Sequence, residues 1–506
     1  MEPISVFMEM TLDDLTLDRS AQTTLQEQLY QRLKNLIESE RLSAAARLPS
    51  TRQFAQELGV SRNTINWVYS RLAGEGYINT GQGQRTMVAD RSAERAPAPA
   101  GASRAEKSAV ARPSTEPFRG KPALNRAVNP SGAPELSSFH VGLRPFTPDI
   151  EYFPFKTWQK LVARRFCNWG EEFFGYSQLA GYEPLRKAIA DYVWANRGVR
   201  CDWRQVFITN GAQGGIDLAA RMLLTGGDTV WMEEPGYHWA HSIFVERGAR
   251  IKPLSVDPDE GWRIDPPGDP IKLIYVTPSC QQPLCKMMPL EARRQLLAVA
   301  AEKNAWIIED DFDSEFRGAT SYAPAIQGMD DRNRTIYVGT FTKTLFPGLR
   351  LGYMVVPDTL VDLSTKMIVA SGHFAGVPMQ AALADFMLGG YFARHLRKMR
   401  AIYAERREAF IAQANIELSE WLDPQLCGAG LQLPFLLRGN SQDSEIARRS
   451  NLYGLNIFNL SVFYRNKDIK RNGFILGYAA LNTRKRDECI VKFRDIIEEY
   501  HMNING

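Results

Sequence analysis

The residue with the clearest chemical potential in this sequence is a lysine that follows a strand-like run. RTIYVG precedes TFTKT at residues 340–344, in which the lysine is Lys343, and Arg350 comes seven residues later. A lysine held partly out of water has a lowered pKa and is the residue type that forms Schiff bases with carbonyl groups. A single lysine is nearly always a solvated charge, so Lys343 indicates chemistry only if suitable partners lie nearby.

A run of acidic residues follows a second strand-like segment. AWII is followed by EDDFD at residues 309–313, which includes Asp310. A carboxylate just beyond a buried strand can bind a metal ion or pair with a protonated ring nitrogen. The metal hypothesis is that of a nucleotide hydrolase, whose phosphate-binding sequence G-x-x-x-x-G-K-[ST] is absent from the chain. The six cysteines and six histidines form no ligand pattern either, so we predict no metal site.

Two further segments could hold a flat, phosphorylated ligand. After VFIT, the turn NGAQGG at residues 210–215 opens an apolar helix, and the backbone N–H groups of such a turn favour a phosphate. After DTVWM, the segment EEPGY ends in Tyr237, whose ring could stack on a planar group. Each signal is weak alone, because glycine turns and tyrosines more often serve packing. Combined with Asp310, Lys343 and Arg350, they provide what pyridoxal 5′-phosphate (PLP) requires of a protein.

Strand-like runs must position these residues. VFIT, DTVWM, IKLIYVT, AWIIED, RTIYVGTF and LRLGYMVV are short, rich in β-branched and aromatic residues, and separated by helical stretches. Near-continuous apolar strands that alternate with helices predict a large α/β domain with a buried, mainly parallel sheet. Ligands of such sheets bind beyond the carboxyl ends of the strands, which is where the candidate residues lie.

The first 90 residues have a different pattern, that of three short helices. Apolar residues at helical spacing mark a first helix from Leu25, Ser50 caps a second helix that stops at Gly59, and Ser61 caps a third. Helix, short turn and helix is the helix-turn-helix layout. The following YINTGQGQRTMVA predicts two short strands around a glycine turn, which would form a wing. The helical pattern alone is equally compatible with a small protein-interaction domain.

The start of the third helix carries residues suited to DNA. In a helix-turn-helix the N-terminal residues of the second helix of the pair meet the bases in the major groove. Arginine can bridge two guanine acceptors, asparagine can pair with adenine, and hydroxyls can reach phosphates. Residues 41–90 carry a net charge of +3, so positive charge is concentrated in the segment that contains the second and third helices. The predicted DNA contacts in the third helix are Ser61, Arg62, Asn63 and Thr64. The predicted contacts with the DNA backbone are Arg52, Gly83 and Arg85.

Composition and charge predict two folded bodies joined by a linker. The 506 residues are 44% hydrophobic, and they contain neither a membrane-spanning apolar run nor a C-x-x-C pair, so we predict a cytoplasmic protein with reduced thiols. The net charge of +4 divides into −2 for residues 1–90, +4 for 91–135 and +2 for 136–506. The middle segment is rich in Ala, Pro, Ser and Arg and cannot bury enough apolar surface to become ordered. It is predicted to be a flexible linker.

Two family resemblances rest on these motifs. The run RLPSTRQFAQELGVSRNTINWVYSRLAGEGYI resembles the winged helix-turn-helix of GntR-type bacterial regulators. Residues 136–506 resemble class I/II aminotransferases of fold type I, which bind PLP. The whole chain therefore resembles the MocR subfamily of GntR-type transcriptional regulators, in which these two parts are fused.

The aminotransferase resemblance implies a role for each candidate residue. Lys343 would hold PLP as an internal aldimine, Asp310 would pair with the pyridinium nitrogen, and Arg350 would bind the phosphate. Tyr237 would stack on the ring, and Gln282 could contact the 3′-oxygen. The remaining implied contacts are at the phosphate: Gly211, Ala212, Gln213, Thr340, Thr342 and, from the other subunit of a head-to-tail homodimer, Tyr176.

The sequence departs from the family's pattern in three places. Phe312 stands where a tyrosine usually contacts the cofactor's 3′-oxygen. The segment TPSCQQPLC has Cys280 and Cys285 in place of a histidine and a glycine, and Gln432 replaces a common histidine. A lost neutral hydrogen bond is worth on the order of 1 kcal/mol, so PLP binding is expected to survive these changes better than catalysis does.

Three functional hypotheses follow. The leading one is a PLP-dependent, DNA-binding transcriptional regulator that senses PLP or a small amine or amino acid through the aldimine at Lys343. The alternative is an enzyme, a PLP-dependent aminotransferase with a DNA-binding appendage. The third is a degenerate domain that dimerises and binds no cofactor. They differ in whether Lys343 binds PLP and in whether bound PLP turns over.

Overall fold

The computed structural model describes residues 15, 17–18, 23–39, 41–79, 86–89, 142–167, 179–316, 323–426 and 430–505. The chain divides into two units, residues 1–117 and 118–506. The predicted linker, residues 91–135, lies outside the described residues, so its flexibility and the domain boundaries at 90 and 136 stay predictions. No helix in the described ranges is long and apolar enough to cross a membrane.

The smaller unit contains three helices and a two-stranded ribbon, as the sequence predicts. Its elements are α1 (Leu25–Glu38), α2 (Thr51–Glu57), α3 (Arg62–Gly74), β1 (Ile78–Asn79) and β2 (Met87–Val88). The two strands pair antiparallel, and the turn between them lies outside the described residues. This arrangement is that of a winged helix-turn-helix.

Local signals determine where α2 and α3 begin. The Ser50 side chain accepts a hydrogen bond from Gln53 N–H at 3.3 Å, and Ser61 accepts one from Thr64 N–H at 3.1 Å. Gly59 in the intervening turn has a φ of 61°, a conformation that glycine adopts at little cost. The predicted apolar stripe of α3 is buried in full: Ile65, Val68, Tyr69 and Leu72.

The larger unit is built on an eight-stranded sheet. Its strands are β3 (Val206–Thr209), β4 (Thr229–Glu234), β5 (Arg250–Asp257), β6 (Gly261–Trp262), β7 (Leu273–Val276), β8 (Trp306–Asp311), β9 (Thr335–Thr340) and β10 (Gly352–Val355). Their order is β3-β10-β9-β8-β7-β4-β5-β6, and β9, β8, β7, β4 and β5 run parallel. The prediction of a mainly parallel sheet is confirmed, and each of the six predicted runs contains a strand.

Two strands run against the others: β6, at the edge, is antiparallel to β5, and β10 lies inside the sheet. β10 runs antiparallel to both of its neighbours, β3 and β9. The connection from β9 to β10, residues 341–351, is shorter than the dozen or more residues that a parallel crossover requires, so the chain turns back along the sheet. This connection contains Lys343 and Arg350, and it is anchored by a strand at each end.

Side chains are buried on both faces of the large sheet. In β9, Tyr337 belongs to one hydrophobic cluster, whereas Ile336 and Val338 belong to another. Burial on both faces explains why the strands are apolar along their whole length. The helices of the same unit are α4 (Phe155–Cys167), α5 (Glu183–Arg197), α6 (Gly211–Leu223), α7 (His238–Glu246), α8 (Leu290–Lys303), α9 (Ile326–Met329), α10 (Val361–Ser371), α11 (Val377–Leu388) and α12 (Tyr391–Leu418).

The C-terminal part forms a second, smaller sheet. Its strands are β11 (Leu422–Pro424), β12 (Gln432–Leu437), β13 (Phe458–Asn459) and β14 (Gly473–Gly477), in the order β11-β12-β14-β13 and all antiparallel. The last two α-helices are α13 (Asp443–Leu452) and α14 (Thr483–Asn505). Residues 142–146 run beside β14, where Gly477 N–H donates to the Leu143 carbonyl at 2.7 Å.

Candidate functional site

Three candidate segments meet at one edge of the large sheet. β3, β8 and β9 run in the same direction, because β10 is antiparallel to β3 and β9, and β9 is parallel to β8. Gly211 follows β3, Asp310 is the penultimate residue of β8, and Lys343 follows β9. Since the carboxyl ends of these strands share an edge, the structure brings the three residues to the same region.

Strand geometry separates the acidic residues 309–313. Glu309 accepts hydrogen bonds from the first two backbone N–H groups of α9, both at 2.9 Å, and so caps that helix. Asp311 pairs with Arg197 at 2.6 Å between Oδ2 and Nε. Successive side chains of a strand point to opposite faces, so Asp310 faces away from these two carboxylates.

Asp310 is a buried carboxylate with one unsatisfied oxygen. Its Oδ2 accepts a hydrogen bond from the Tyr275 hydroxyl at 2.7 Å, whereas its buried Oδ1 has no partner among the described residues. Burial raises the pKa of Asp310 to about 7, against the Tyr275 hydrogen bond, which favours the charged form. A buried acceptor without a donor is costly, so the site fits a ligand that offers an N–H group, as the protonated ring nitrogen of PLP does.

Lys343 is half-buried, and its amine is already hydrogen-bonded. Nζ donates to the Phe146 carbonyl oxygen at 2.7 Å and lies 5.5 Å from the centre of the Phe146 ring. Burial lowers the pKa of Lys343, the carboxylate of Asp313 opposes that shift, and the positive charge of Arg144 reinforces it. An amine with a lowered pKa loses its proton more readily and is the better nucleophile.

The start of α6 and Arg350 converge on one space for an anion. Gly211, the first residue of α6, has a φ of 73°, and a Cβ added to it would lie 3.9 Å from a guanidinium nitrogen of Arg350. A Cβ on Gly352 would lie 2.9 Å from the backbone nitrogen of Ala212, so a side chain there would crowd the turn. Arg350 has no ion pair among the described residues. Free helix N–H groups and an unpaired guanidinium suit a phosphate.

Tyr237 joins this group from a different strand. It immediately precedes α7, and the side chain of Gln213 acts on the pKa of its hydroxyl. Burial raises the pKa of Tyr237, and the charges of Asp310 and Arg350 act on it as well. Gln213 and Tyr237 therefore lie in the same neighbourhood as the carboxylate and the guanidinium, as the predicted site requires.

The other predicted cofactor contacts have different environments. Thr340 ends β9, and its hydroxyl lies 3.0 Å from that of Thr342. Gln282 is buried, and its backbone N–H donates to the Thr277 hydroxyl at 3.1 Å. Tyr176 lies outside the described residues.

The unusual residues of the site contact one another. Gln432 donates through Nε2 to the Cys285 sulfur at 3.3 Å and accepts from the Phe146 backbone N–H at 3.2 Å. Phe312 packs edge-on against the Phe146 ring, with 6.3 Å between the centroids. Phe146, whose carbonyl oxygen accepts the hydrogen bond from Lys343, is therefore held by side chains that depart from the family's pattern.

The comparison with known proteins assigns each unit to a family. Residues 25–88 match the model for "Bacterial regulatory proteins, gntR family", and residues 150–425 match "Aminotransferase class I and II". The chain is 40% identical to the probable rhizopine catabolism regulatory protein MocR of Rhizobium meliloti, across 95% of each protein. The chain belongs to the MocR subfamily of GntR-type transcriptional regulators.

A second regulator and a solved aminotransferase structure are also similar to this chain. The pyridoxine biosynthesis regulator PdxR of Corynebacterium glutamicum is 28% identical over 90% of this chain and 92% of its own. Among solved structures, the Pyrococcus horikoshii kynurenine aminotransferase has a TM-score of 0.65 and 24% identity, covering 72% of this chain and 92% of that one. As a MocR-type regulator, the chain joins a GntR-type DNA-binding unit to an aminotransferase-like unit of fold type I, whose cofactor is PLP.

The GntR-type unit exposes most of its predicted DNA contacts. Arg52, Ser61, Arg62 and Asn63 are exposed, and Arg62 Nε lies 3.4 Å from the Thr51 hydroxyl. Three of these exposed residues share the start of α3, where a MocR-type regulator is expected to meet the major groove.

The remaining predicted DNA contacts do not share that surface. Thr64 is buried, and its hydroxyl lies 2.9 Å from that of Ser61, so it supports the helix start. Gly83 and Arg85 lie outside the described residues. Asn66, which the sequence patterns did not single out, is exposed one turn after the start of α3, and helical spacing was the signal that could have found it.

Three residues of the PLP-binding region also escaped sequence reasoning. Asp313 is fully buried, its Oδ2 accepts from Leu431 N–H at 3.1 Å, and its Oδ1 has no partner among the described residues. Burial raises the pKa of Asp313, and the Lys343 charge opposes the shift. Tyr275 lies within an apolar strand, and Phe146 acts through its carbonyl, so neither carried a sequence signal.

Proposed function

We propose that this MocR-type regulator binds PLP at Lys343, senses PLP or a small amine or amino acid there, and transmits the change to operator binding by its GntR-type unit. One arrangement carries the proposal: the charges of Asp310 and Arg350 both act on Lys343, and among the described residues Asp310 Oδ1 has no hydrogen-bond donor and Arg350 has no ion pair. When bound, PLP supplies an aldehyde that bonds covalently to a primary amine, so an amine ligand can replace the lysine.

The chain's own residues divide the work of holding the cofactor. Oδ1 of Asp310 accepts a ring N–H, while Arg350 and the first N–H groups of α6 bind a phosphate. The Phe146 ring, 5.5 Å from the Lys343 amine, packs edge-on against the rings of Phe312 and Phe458. Because Asp310 is buried, its charge and that of Lys343 interact more strongly than they would at the surface.

The hydrogen bond from Lys343 to the Phe146 carbonyl supports a route by which ligand binding could be transmitted to the DNA-binding unit. Residues 142–146 follow the predicted linker in the chain, and Leu143 is tied to Leu455 and Gly477 by backbone hydrogen bonds of 2.7 Å each. A ligand that replaces Lys343 removes the amine from the Phe146 carbonyl, and so changes the hydrogen bonding of the segment that follows the predicted linker. Such a ligand shifts the equilibrium only by its difference in affinity for the two states.

Sensing is favoured over enzymatic turnover by Phe312. Its ring packs against Phe146 and has no hydroxyl to tune the cofactor. The aminotransferase hypothesis is tested with an amino donor and 2-oxoglutarate, where repeated turnovers lost in Lys343→Ala would support an enzyme. The proposal also includes a cytoplasmic location and a head-to-tail homodimer in which Tyr176 reaches the neighbouring phosphate.

The visible spectrum of the purified protein tests cofactor binding directly. We expect a yellow protein whose colour is fixed by borohydride to the peptide that contains Lys343. A protein that stays colourless after incubation with PLP would instead support the hypothesis of a degenerate, cofactor-free domain.

Replacing Tyr275 with phenylalanine is expected to make PLP binding more dependent on pH. The Tyr275 hydrogen bond favours the charged form of Asp310, so its loss raises the Asp310 pKa further above about 7, by roughly one unit. At pH 7 fewer molecules then carry the carboxylate that pairs with the ring nitrogen, and PLP affinity falls by about fivefold. Raising the pH above the new pKa restores the affinity, as titrations of the absorption change would show.

Tyr337→Phe is the matched control for that experiment. It removes an equivalent hydroxyl from Asp311, on the opposite face of β8, and should leave the pH dependence of PLP affinity unchanged. If Tyr275→Phe follows the same pH profile as the wild type, Asp310 does not control cofactor affinity through its charge.

Replacing Arg62 with alanine is expected to weaken operator binding by about 10- to 100-fold, because a bidentate arginine–guanine contact is worth about 1–3 kcal/mol. The measurement is fluorescence anisotropy or a gel shift with DNA from upstream of the protein's own gene. Arg62→Lys keeps the positive charge but loses the planar guanidinium that donates two parallel hydrogen bonds, so it separates base recognition from phosphate contact. Unchanged binding by Arg62→Ala would refute the assignment of α3 as the recognition helix.

A further inference from the structure

The guanidinium of Arg144 lies near the candidate site and has no partner among the described residues. It is half-buried and precedes Phe146, the residue that accepts the Lys343 hydrogen bond, by two positions. Burial lowers the pKa of Arg144, no carboxylate opposes that shift, and the Arg144 charge in turn acts on Lys343. Within the described ranges, its guanidinium has neither a hydrogen bond nor an ion pair.

The backbone holds Arg144 in this position. A Cβ on Gly477 would lie 2.0 Å from the Arg144 carbonyl oxygen, so the strand and the segment pack backbone to backbone. Gly142, with a φ of 46°, approaches the Leu455 carbonyl in the same way. The Arg144 side chain therefore projects from a tightly packed backbone segment, and no described residue binds its charge.

Two other arginines of the larger unit have acidic partners. Arg465 pairs with Glu234 at 2.5 Å, and Arg406 pairs with Asp149 at 2.7 Å. Arg350 and Arg144 differ from them, because each acts electrostatically on Lys343 and neither has an acidic partner among the described residues. Two guanidinium groups that act on one amine, and that have no acidic partner among the described residues, indicate two anionic groups in the loaded site, and the PLP phosphate accounts for one.

We infer that Arg144 binds the carboxylate of the effector, which makes the effector an amino acid whose amine takes the place of Lys343. This inference rests on the proposed function, because it needs PLP and a ligand amine at Lys343. Arginine suits the task, since its planar fork binds a carboxylate through two charge-assisted hydrogen bonds. Binding there also places the effector directly on residues 142–146, the segment that follows the predicted linker.

Matched pairs of ligands test the inference on the full-length, PLP-loaded protein. The probes are L-alanine with ethylamine and L-phenylalanine with 2-phenylethylamine, and each pair differs only by a carboxylate. The readouts are the shift in visible absorption and the change in operator affinity. For the wild type we expect half-saturation by the amino acids at about 10- to 100-fold lower concentration, the range for a hydrogen-bonded charge pair.

Two variants separate the role of Arg144 from the rest of the site. Arg144→Gln is expected to bind each amino acid as weakly as its matched amine and to keep its yellow colour. Arg144→Lys, which keeps the charge without the fork, should give an intermediate preference. Retained colour shows that either variant is folded and holds PLP.

The outcomes distinguish this inference from the proposed function. A yellow wild type that prefers neither amino acid to its amine, or responds to neither amino acid, overturns the inference alone. An undiminished preference in Arg144→Gln overturns it as well. A wild type without PLP at Lys343 overturns the proposed function, and the inference falls with it.

Discussion

Lys343→Ala is expected to lose all borohydride-fixed PLP while it remains folded. Covalent attachment needs a primary amine, and alanine has none. The hydrogen bond to the Phe146 carbonyl is lost too, which lowers the free energy of unfolding by about 1–3 kcal/mol. Part of this loss is offset, because the variant no longer holds a charged amine out of water. Arg350 and Asp310 remain, so weak PLP binding that dialysis reverses is expected. Mass spectrometry of the reduced protein measures the fixed label.

Two controls show whether the effect belongs to this amine. Lys366→Ala removes an exposed lysine of α10 and should leave the fixed label in place. Lys343→Arg keeps a cation beside Asp313 and Asp310 without a reactive amine, so it should lose the label as the alanine variant does. Full labelling of Lys343→Ala would mean that PLP is attached to a different residue.

Arg197→Ala is expected to lower the free energy of unfolding by about 3–5 kcal/mol, because it leaves Asp311 buried without its counter-ion. In the wild type, burial alone would raise the Asp311 pKa, but Arg197 and the Tyr337 hydroxyl outweigh it and hold the pKa below its ordinary value. This low pKa stabilises the fold above the ordinary carboxyl pKa, about 4, and the contribution is lost as the pH falls through the folded-state value. The penalty of the variant should therefore be largest near neutral pH and shrink in acid.

Urea denaturation of the full chain measures this effect. The exposed pair of Arg204 with Asp202 provides the control, since Arg204→Ala removes a surface ion pair worth about 0–1 kcal/mol. Replacing Arg197 and Asp311 together by apolar residues should cost less than Arg197→Ala alone. Equal denaturation midpoints for Arg197→Ala and Arg204→Ala would show that the buried pair does not stabilise the fold.

The sheet could be predicted where its strands are buried on both faces. β3, β4, β7, β8, β9 and β10 are continuous apolar runs, so their residue types alone indicate them. β5 carries Lys252 and Pro253 and is only partly buried, which hides its pattern. The strands of the second sheet are short and pair antiparallel, and such pairings depend on contacts that the sequence pattern does not reveal.

The candidate site could be predicted where chemistry coincides with the end of a strand. Gly211, Asp310 and Lys343 all have that position, so strand direction alone brings them to one edge of the sheet. Phe146 and Arg144 come from a segment far away in sequence, and their placement depends on packing against β14. No spacing rule connects residues so distant in the chain.

Ligand binding at Lys343 is expected to control DNA binding. The decisive measurement is the operator affinity of cofactor-free protein before and after addition of PLP. We predict a change of at least about fivefold in the wild type, the lower range of allosteric coupling. Lys343→Ala should bind the operator, yet PLP should no longer change its affinity. An operator affinity of the wild type that is the same without ligand, with PLP, and with PLP and an amino acid would contradict the account.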